Sequence, residues 1–194
     1  MVYSNRVDLL SQVIKTFSAQ PEVREITIFG RHAEGAADKY SDIDIRIHSN
    51  NTLRTQEKYL SLFSRISPIR ETFLLVSDPD NLAQMIMLTE YSLYQKVDFG
   101  ICSGNSPFTP SVSVYKNEKA KENSSKMKVL KIHQDVKYNL TNYLFGVPRI
   151  IKCFFRNDFD MYRRWKDMTN PVLALLYQKY NGYQKDEQKR ESDE

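Results

Sequence analysis

The sequence predicts an α/β (α+β) fold, a mixed sheet flanked by helices and followed by a helical carboxy-terminal domain. Three observations carry this expectation. Between residues 7 and 102, segments of helical spacing alternate with short apolar or period-two runs, the signature of an α/β layer. A stretch rich in Ser, Pro and Gly at 103–111 and a lysine-rich stretch at 116–126 then interrupt the pattern. Beyond them, apolar and aromatic residues recur only at three- and four-residue steps. With 194 residues, 41% of them hydrophobic, the chain can bury one substantial core or a core plus a smaller helical appendage.

Val7, Leu10, Val13, Ile14 and Phe17 predict an opening amphipathic helix, with Ser4 and Asn5 as candidate caps and Pro21 closing the segment. Ile26 to Phe29 reads as a short buried strand that ends at Gly30, and Arg31 to Ser41 as a polar loop. From Asp42 to His48 the alternation is strict: Ile43, Ile45 and Ile47 share one face, and Asp42, Asp44, Arg46 and His48 the other. A helix over Leu53–Ile66, an extended run at Thr72–Val76, a turn at Asp78-Pro79-Asp80 and a short helix over Asn81–Thr89 are expected next. Ser92–Cys102 reads as a strand with Val97, Phe99 and Ile101 inward and Asp98 opposite them. Val112–Tyr115 suits an edge strand.

A domain boundary is expected near residue 120, giving a catalytic domain at 1–120, a helical domain at 121–183 and a charged tail at 184–194. Helices are expected over Met127–Phe145 and Arg149–Trp165, broken by Gly146 and Pro148, with a third opened by Asn170-Pro171. Tyr138, Tyr143, Phe154, Phe155 and Phe159 are expected in the helical core. Trp165, flanked by Arg163, Arg164 and Lys166, fits either a helix with one buried aromatic and a solvated basic face or a phosphate or base contact.

Net charge is +4, well short of the footprint of a dedicated nucleic-acid binder. It is unevenly spread: Lys126 to Tyr180 holds eleven Lys/Arg against four acids, a net +7, leaving −3 for the remainder. No run approaches a membrane span and no signal core opens the chain, so a cytoplasmic protein without membrane attachment is expected. Cys102 and Cys153 lack any zinc or disulfide spacing and are expected to be reduced.

Two carboxylates two residues apart on a strand point the same way and can share divalent cations. Magnesium suits them, because it takes hard oxygen ligands and reaches proteins through one or two carboxylates plus substrate phosphates. Paired acids at strand ends are common, so the specificity lies in their surroundings. Gly30 lets backbone approach a phosphate, and Asp98 supplies a third acid on a later strand. Such a triad can bind two Mg2+ ions, one activating a hydroxyl and one steadying a triphosphate, and Asp98 can accept the hydroxyl proton. His48 lies further along the strand and is expected to be structural.

Ile28-Phe29-Gly30-Arg31, the run Ala37 to Ile45, and Val97-Asp98-Phe99 together resemble the nucleotidyltransferase superfamily, in which Gly-Ser is followed by Asp-x-Asp and a distal Asp. Within it the chain is most similar to the aminoglycoside 6-adenylyltransferases, which confer streptomycin resistance and append a helical domain. Residues 139–177, including Pro148, Ile151-Lys152 and Tyr162-Arg163-Arg164, are loosely similar to that region. The resemblance implies Mg2+-dependent transfer of a nucleoside monophosphate, AMP from ATP, to a hydroxyl of a small-molecule acceptor. It assigns Asp42, Asp44 and Asp98 as metal-binding and catalytic residues, and Gly30, Arg31, Lys39 and Ser41 as nucleotide-binding.

Three departures shape the acceptor question. Arg31 stands where the family has a serine that contacts the triphosphate; it can bind phosphate bidentately or obstruct the pocket. The chain ends soon after Tyr180, whereas the resistance enzymes continue with further helices. The basic helical region would also repel a polycationic aminoglycoside. Two further readings therefore stand beside the enzyme: a nucleotide-binding or regulatory module of toxin-antitoxin type acting on a protein, and an RNA-directed transferase guided by the basic helices.

Overall fold

The computed structural model describes residues 6–38, 40–91, 96–104, 110–118, 136–167 and 169–170. The chain divides into two compact units, Met1–Ile132 and His133–Glu194.

The first unit is built on one mixed sheet. In chain order it contains α1 (Arg6–Ser18), β1 (Val23–Phe29), β2 (Ile43–Ser49), α2 (Thr52–Ile66), β3 (Ile69–Asp78), β4 (Asn81–Leu88), β5 (Lys96–Cys102) and β6 (Ser111–Lys116). The strands lie in the order β3-β4-β5-β2-β1-β6. Only β2 and β5, at the centre, run parallel; every other neighbouring pair is antiparallel. That parallel pairing needs a long crossover. The crossover is supplied by α2 and the β3–β4 hairpin.

One face of the sheet is apolar. Ile26 and Ile28 of β1, Ile43, Ile45 and Ile47 of β2, and Val97, Phe99 and Ile101 of β5 form a single cluster with Leu9, Val13 and Phe17 of α1 and Tyr59, Leu62 and Phe63 of α2. Phe99 is its centre. Its ring stacks on Tyr59 with centroids 5.6 Å apart, meets Phe63 edge-on at 5.0 Å and lies 5.1 Å from Phe17. The amino end of α2 is capped by Asn51, whose side chain accepts the Arg54 N–H at 3.0 Å. Both helices bury the residues that their 3.6-residue period places together.

Residues 81–88 form strand β4, correcting the short helix expected there. Leu82, Met85 and Ile86 satisfy a helical spacing as well as a strand one, and the segment is rich in helix formers. Tertiary pairing decides: β4 is bonded to β3 on one side and β5 on the other. Pro79-Asp80 closes the β3–β4 hairpin, and the Asp78 carboxylate accepts the Asp80 and Asn81 N–H groups at 2.8 Å.

In the second unit, α3 (Val136–Phe155) runs through Gly146 and Pro148, where a break was expected. Gly146 serves packing instead, since a Cβ there would lie 2.7 Å from Thr169 Oγ1. The chain turns later, at 156–158, with Asn157 at φ 56°. Asp158 then caps the helical stretch 159–167, accepting the Met161 N–H at 3.1 Å. Phe154, Phe155 and Phe159 are each at least half exposed, correcting their assignment to a core. In the last turn of α3 the buried residues are Lys152 and Cys153. Arg149 lies 4.7 Å from the centre of the Trp165 ring, a cation–π contact. Tyr138, Tyr143, the third helix and the charged tail lie outside the described side chains and residues. No helix among the described residues is long and apolar enough to cross a membrane.

Replacing Phe99 by Ala would remove the ring that three aromatic contacts share. The expected loss is about 3–5 kcal/mol of unfolding free energy, read from urea denaturation.

Candidate functional site

The second face of the sheet carries charge where the first carries the core. Because β2 and β5 are parallel and in register, Asp44 lies directly opposite Asp98, Arg46 opposite Gly100 and His48 opposite Cys102. Asp42 precedes the first β2 residue and so falls beside Lys96, the first residue of β5. The three predicted carboxylates are thus brought to the start of the two central strands. Adjacent strands lie about 4.8 Å apart, so these groups are immediate neighbours.

Gly30 adjoins them from β1. Phe29 pairs with Asp44, and the chain then turns through a short 3-10 segment, Gly30–His32, with Gly30 at φ +62°. A Cβ on Gly30 would stand 2.6 Å from Asp44 Oδ2. Glycine is therefore required twice at this position, by conformation and by the carboxylate pressed against it.

The loop that leads to Asp42 is held by its own side chains. The Ser41 hydroxyl donates to Asp38 Oδ1 and accepts the Asp38 N–H, both at 2.9 Å, while Asp38 Oδ1 also accepts the Tyr40 N–H. Ser41 is buried. Its hydroxyl clasps the loop and so fixes where Asp42 begins. Arg31 is exposed and its Nε donates to the Ala36 carbonyl at 3.3 Å, folding the side chain over the same loop. Lys39 lies outside the described residues.

Two cations on this face were not singled out by sequence reasoning as partners of the acids. The Lys96 ammonium pairs with Asp98 Oδ2 and with Asp42 Oδ2, the latter at 3.4 Å. It is almost fully buried. The signal was present in the sequence: Lys96 precedes Asp98 by two residues, the spacing that places both on one strand face. Arg46 is buried two residues beyond Asp44, with its guanidinium 5.8 Å from the centre of the Phe29 ring. Gly100 makes room for it, since a Cβ there would lie 2.9 Å from Arg46 Nε.

His48 lies further from the acids and is fully buried. Its Nδ1 donates to the Gly104 carbonyl at 2.7 Å, which assigns the proton to that nitrogen and leaves Nε2 to accept from Thr27 Oγ1 at 2.9 Å. Burial lowers its pKa below the ordinary 6.5, against the opposing pull of the Gly104 carbonyl. Cys102, 3.4 Å from Nδ1, is a thiol that burial pushes up to about 11. This end of the strands is a structural polar network.

The donor chemistry of the acids suits a hard divalent cation. Asp98 Oδ1 is buried and accepts no hydrogen bond from the described residues, which leaves it available as a ligand. As placed, however, no three His, Cys, Asp or Glu groups among the described residues converge on one point. Lys96 holds two of the carboxylates.

Residues 11–106 match the protein-family model described as "Polymerase beta, Nucleotidyltransferase". The match spans α1 through β5 and so takes in Gly30, Asp42, Asp44 and Asp98. It supports the nucleotidyltransferase superfamily, with nucleotidyl transfer in general as the chemistry and a nucleoside triphosphate as substrate. No curated protein matches the chain.

Gly30→Ala should cost about 1–2 kcal/mol of stability from its positive φ alone, measured by urea denaturation. His48 gives a pH signature. The folded protein holds it neutral while the unfolded chain protonates near 6.5. Its contribution is therefore undiminished above that pH and declines as pH falls below it, levelling at the lowered native pKa. The slope of stability against pH below about 6.5 should be shallower in His48→Gln than in the wild type.

Proposed function

We propose that the chain transfers a nucleoside monophosphate, AMP from ATP, to a hydroxyl of a small molecule. The observation that carries this reading is the register that sets Asp44 opposite Asp98 with Gly30 against Asp44, in a stretch matched by a nucleotidyltransferase family. The acceptor oxygen would bond to the α-phosphorus as the α–β phosphoanhydride bond breaks and pyrophosphate leaves. Asp98, through its open Oδ1, takes the hydroxyl proton. Asp42 and Asp44 hold Mg2+, which supplies charge neutralisation to the triphosphate when bound. Gly30 admits the phosphates close to backbone, with Arg31 and Lys39 as the cations of the adjoining loop. An aminoglycoside-type antibiotic is the acceptor suggested by the sequence resemblance, and a cytoplasmic location accords with ATP as donor.

A second reading, a nucleotide-binding or regulatory module acting on a protein partner, is favoured by one observation: an ammonium already neutralises part of the acidic cluster.

Incubation with Mg2+, radiolabelled ATP and a panel of hydroxyl acceptors, aminoglycosides included, separates the two. Label transfer by the wild type is expected, with complete loss in Asp42→Asn and a loss of about 10²–10⁴-fold in Asp98→Asn at unchanged circular dichroism. Retained transfer in Asp42→Asn would remove it as a ligand, and nucleotide binding without transfer to any acceptor would favour the regulatory module.

A further inference from the structure

We propose that the Lys96 ammonium is a built-in cation of the carboxylate cluster, standing in for one of the two divalent ions that three acids would otherwise gather. The inference deepens the reading of Asp42, Asp44 and Asp98 as cation ligands and rests on it. Lys96 lies within a strand whose backbone is paired on both sides, with β4 through Met87 and with β2 beyond Val97 and Ile43. Its ammonium reaches Asp42, just ahead of β2, and Asp98 on its own strand, so it joins two of the three carboxylates assigned to divalent ions. It is not a swinging surface lysine: its side chain is 5% exposed, against 18% for Asp42 and 27% for Asp98.

A buried ammonium is retained only where carboxylates compensate it. Displacing it with a divalent ion would strand that charge in the sheet, whereas leaving it in place repels a second ion arriving at the same oxygens.

Mn2+ alone, titrated with the free ion followed by electron paramagnetic resonance, tests this without nucleotide or turnover. Lys96→Met removes the charge at similar length and is expected to bind one more Mn2+ per chain than the wild type, while Lys96→Arg keeps the charge and the wild-type uptake. Equal uptake by the wild type and Lys96→Met would overturn the proposal. If Lys96→Met folds poorly, Mn2+ or Mg2+ should restore its melting temperature and raise that of the wild type by less, because in the variant an ion would also replace the lost ammonium. Instability that millimolar Mg2+ does not relieve would equally overturn it. Nucleotide binding by the wild type is measured separately; its absence would defeat the transfer reading, while the Mn2+ comparison would still decide the role of Lys96.

Discussion

The parallel pairing of β2 with β5 is the constraint on which the rest of the first unit depends. A single register sets Ile45 beside Phe99 on one face and Asp44 beside Asp98 on the other. Core and acidic cluster are therefore two readings of the same ladder. Slipping the register by one residue would turn isoleucines toward the charges and aspartates toward the helices. The aromatic packing around Phe99, though remote from any chemistry, is what holds the carboxylates opposite one another.

Around that ladder, small residues set distances that larger ones would spoil. Gly30 lets β1 turn away immediately beside Asp44, and Gly100 lets Arg46 lie across β5. The Ser41–Asp38 clasp then fixes the chain just before Asp42. The two glycines leave room for charged side chains, and the clasp satisfies the Asp38 carboxylate beside a face that carries several ionic groups.

Much of this was legible in the sequence. The strict alternation at 42–48 announced both faces of β2, and the Gly30, Asp42-x-Asp44 and Asp98 pattern located the cluster before any fold was known. Segment 81–88 was not legible, because Leu82, Met85 and Ile86 fit a helix and a strand alike and only the two neighbouring strands decide between them. The continuity of α3 through Gly146 and Pro148 was hidden for a related reason: local propensity argues for a break, whereas the glycine is needed for contact with Thr169. Lys96 escaped notice because a lone lysine reads as solvated surface. Its burial becomes visible only when Asp42 arrives from another strand.

Strand β5 is saturated with duties. Val97, Phe99 and Ile101 belong to the core, Lys96 and Asp98 to the acidic cluster, Gly100 to the seat of Arg46 and Cys102 to the network around His48. No position along it is free to drift without disturbing a neighbour on one face or the other. Lineages diverging from this protein would then be expected to change substrate preference in the segments that border the sheet, such as the loop 31–41. Within its central strands, innovation would require several coordinated replacements at once, so β5 should act as a brake on the evolution of new specificities.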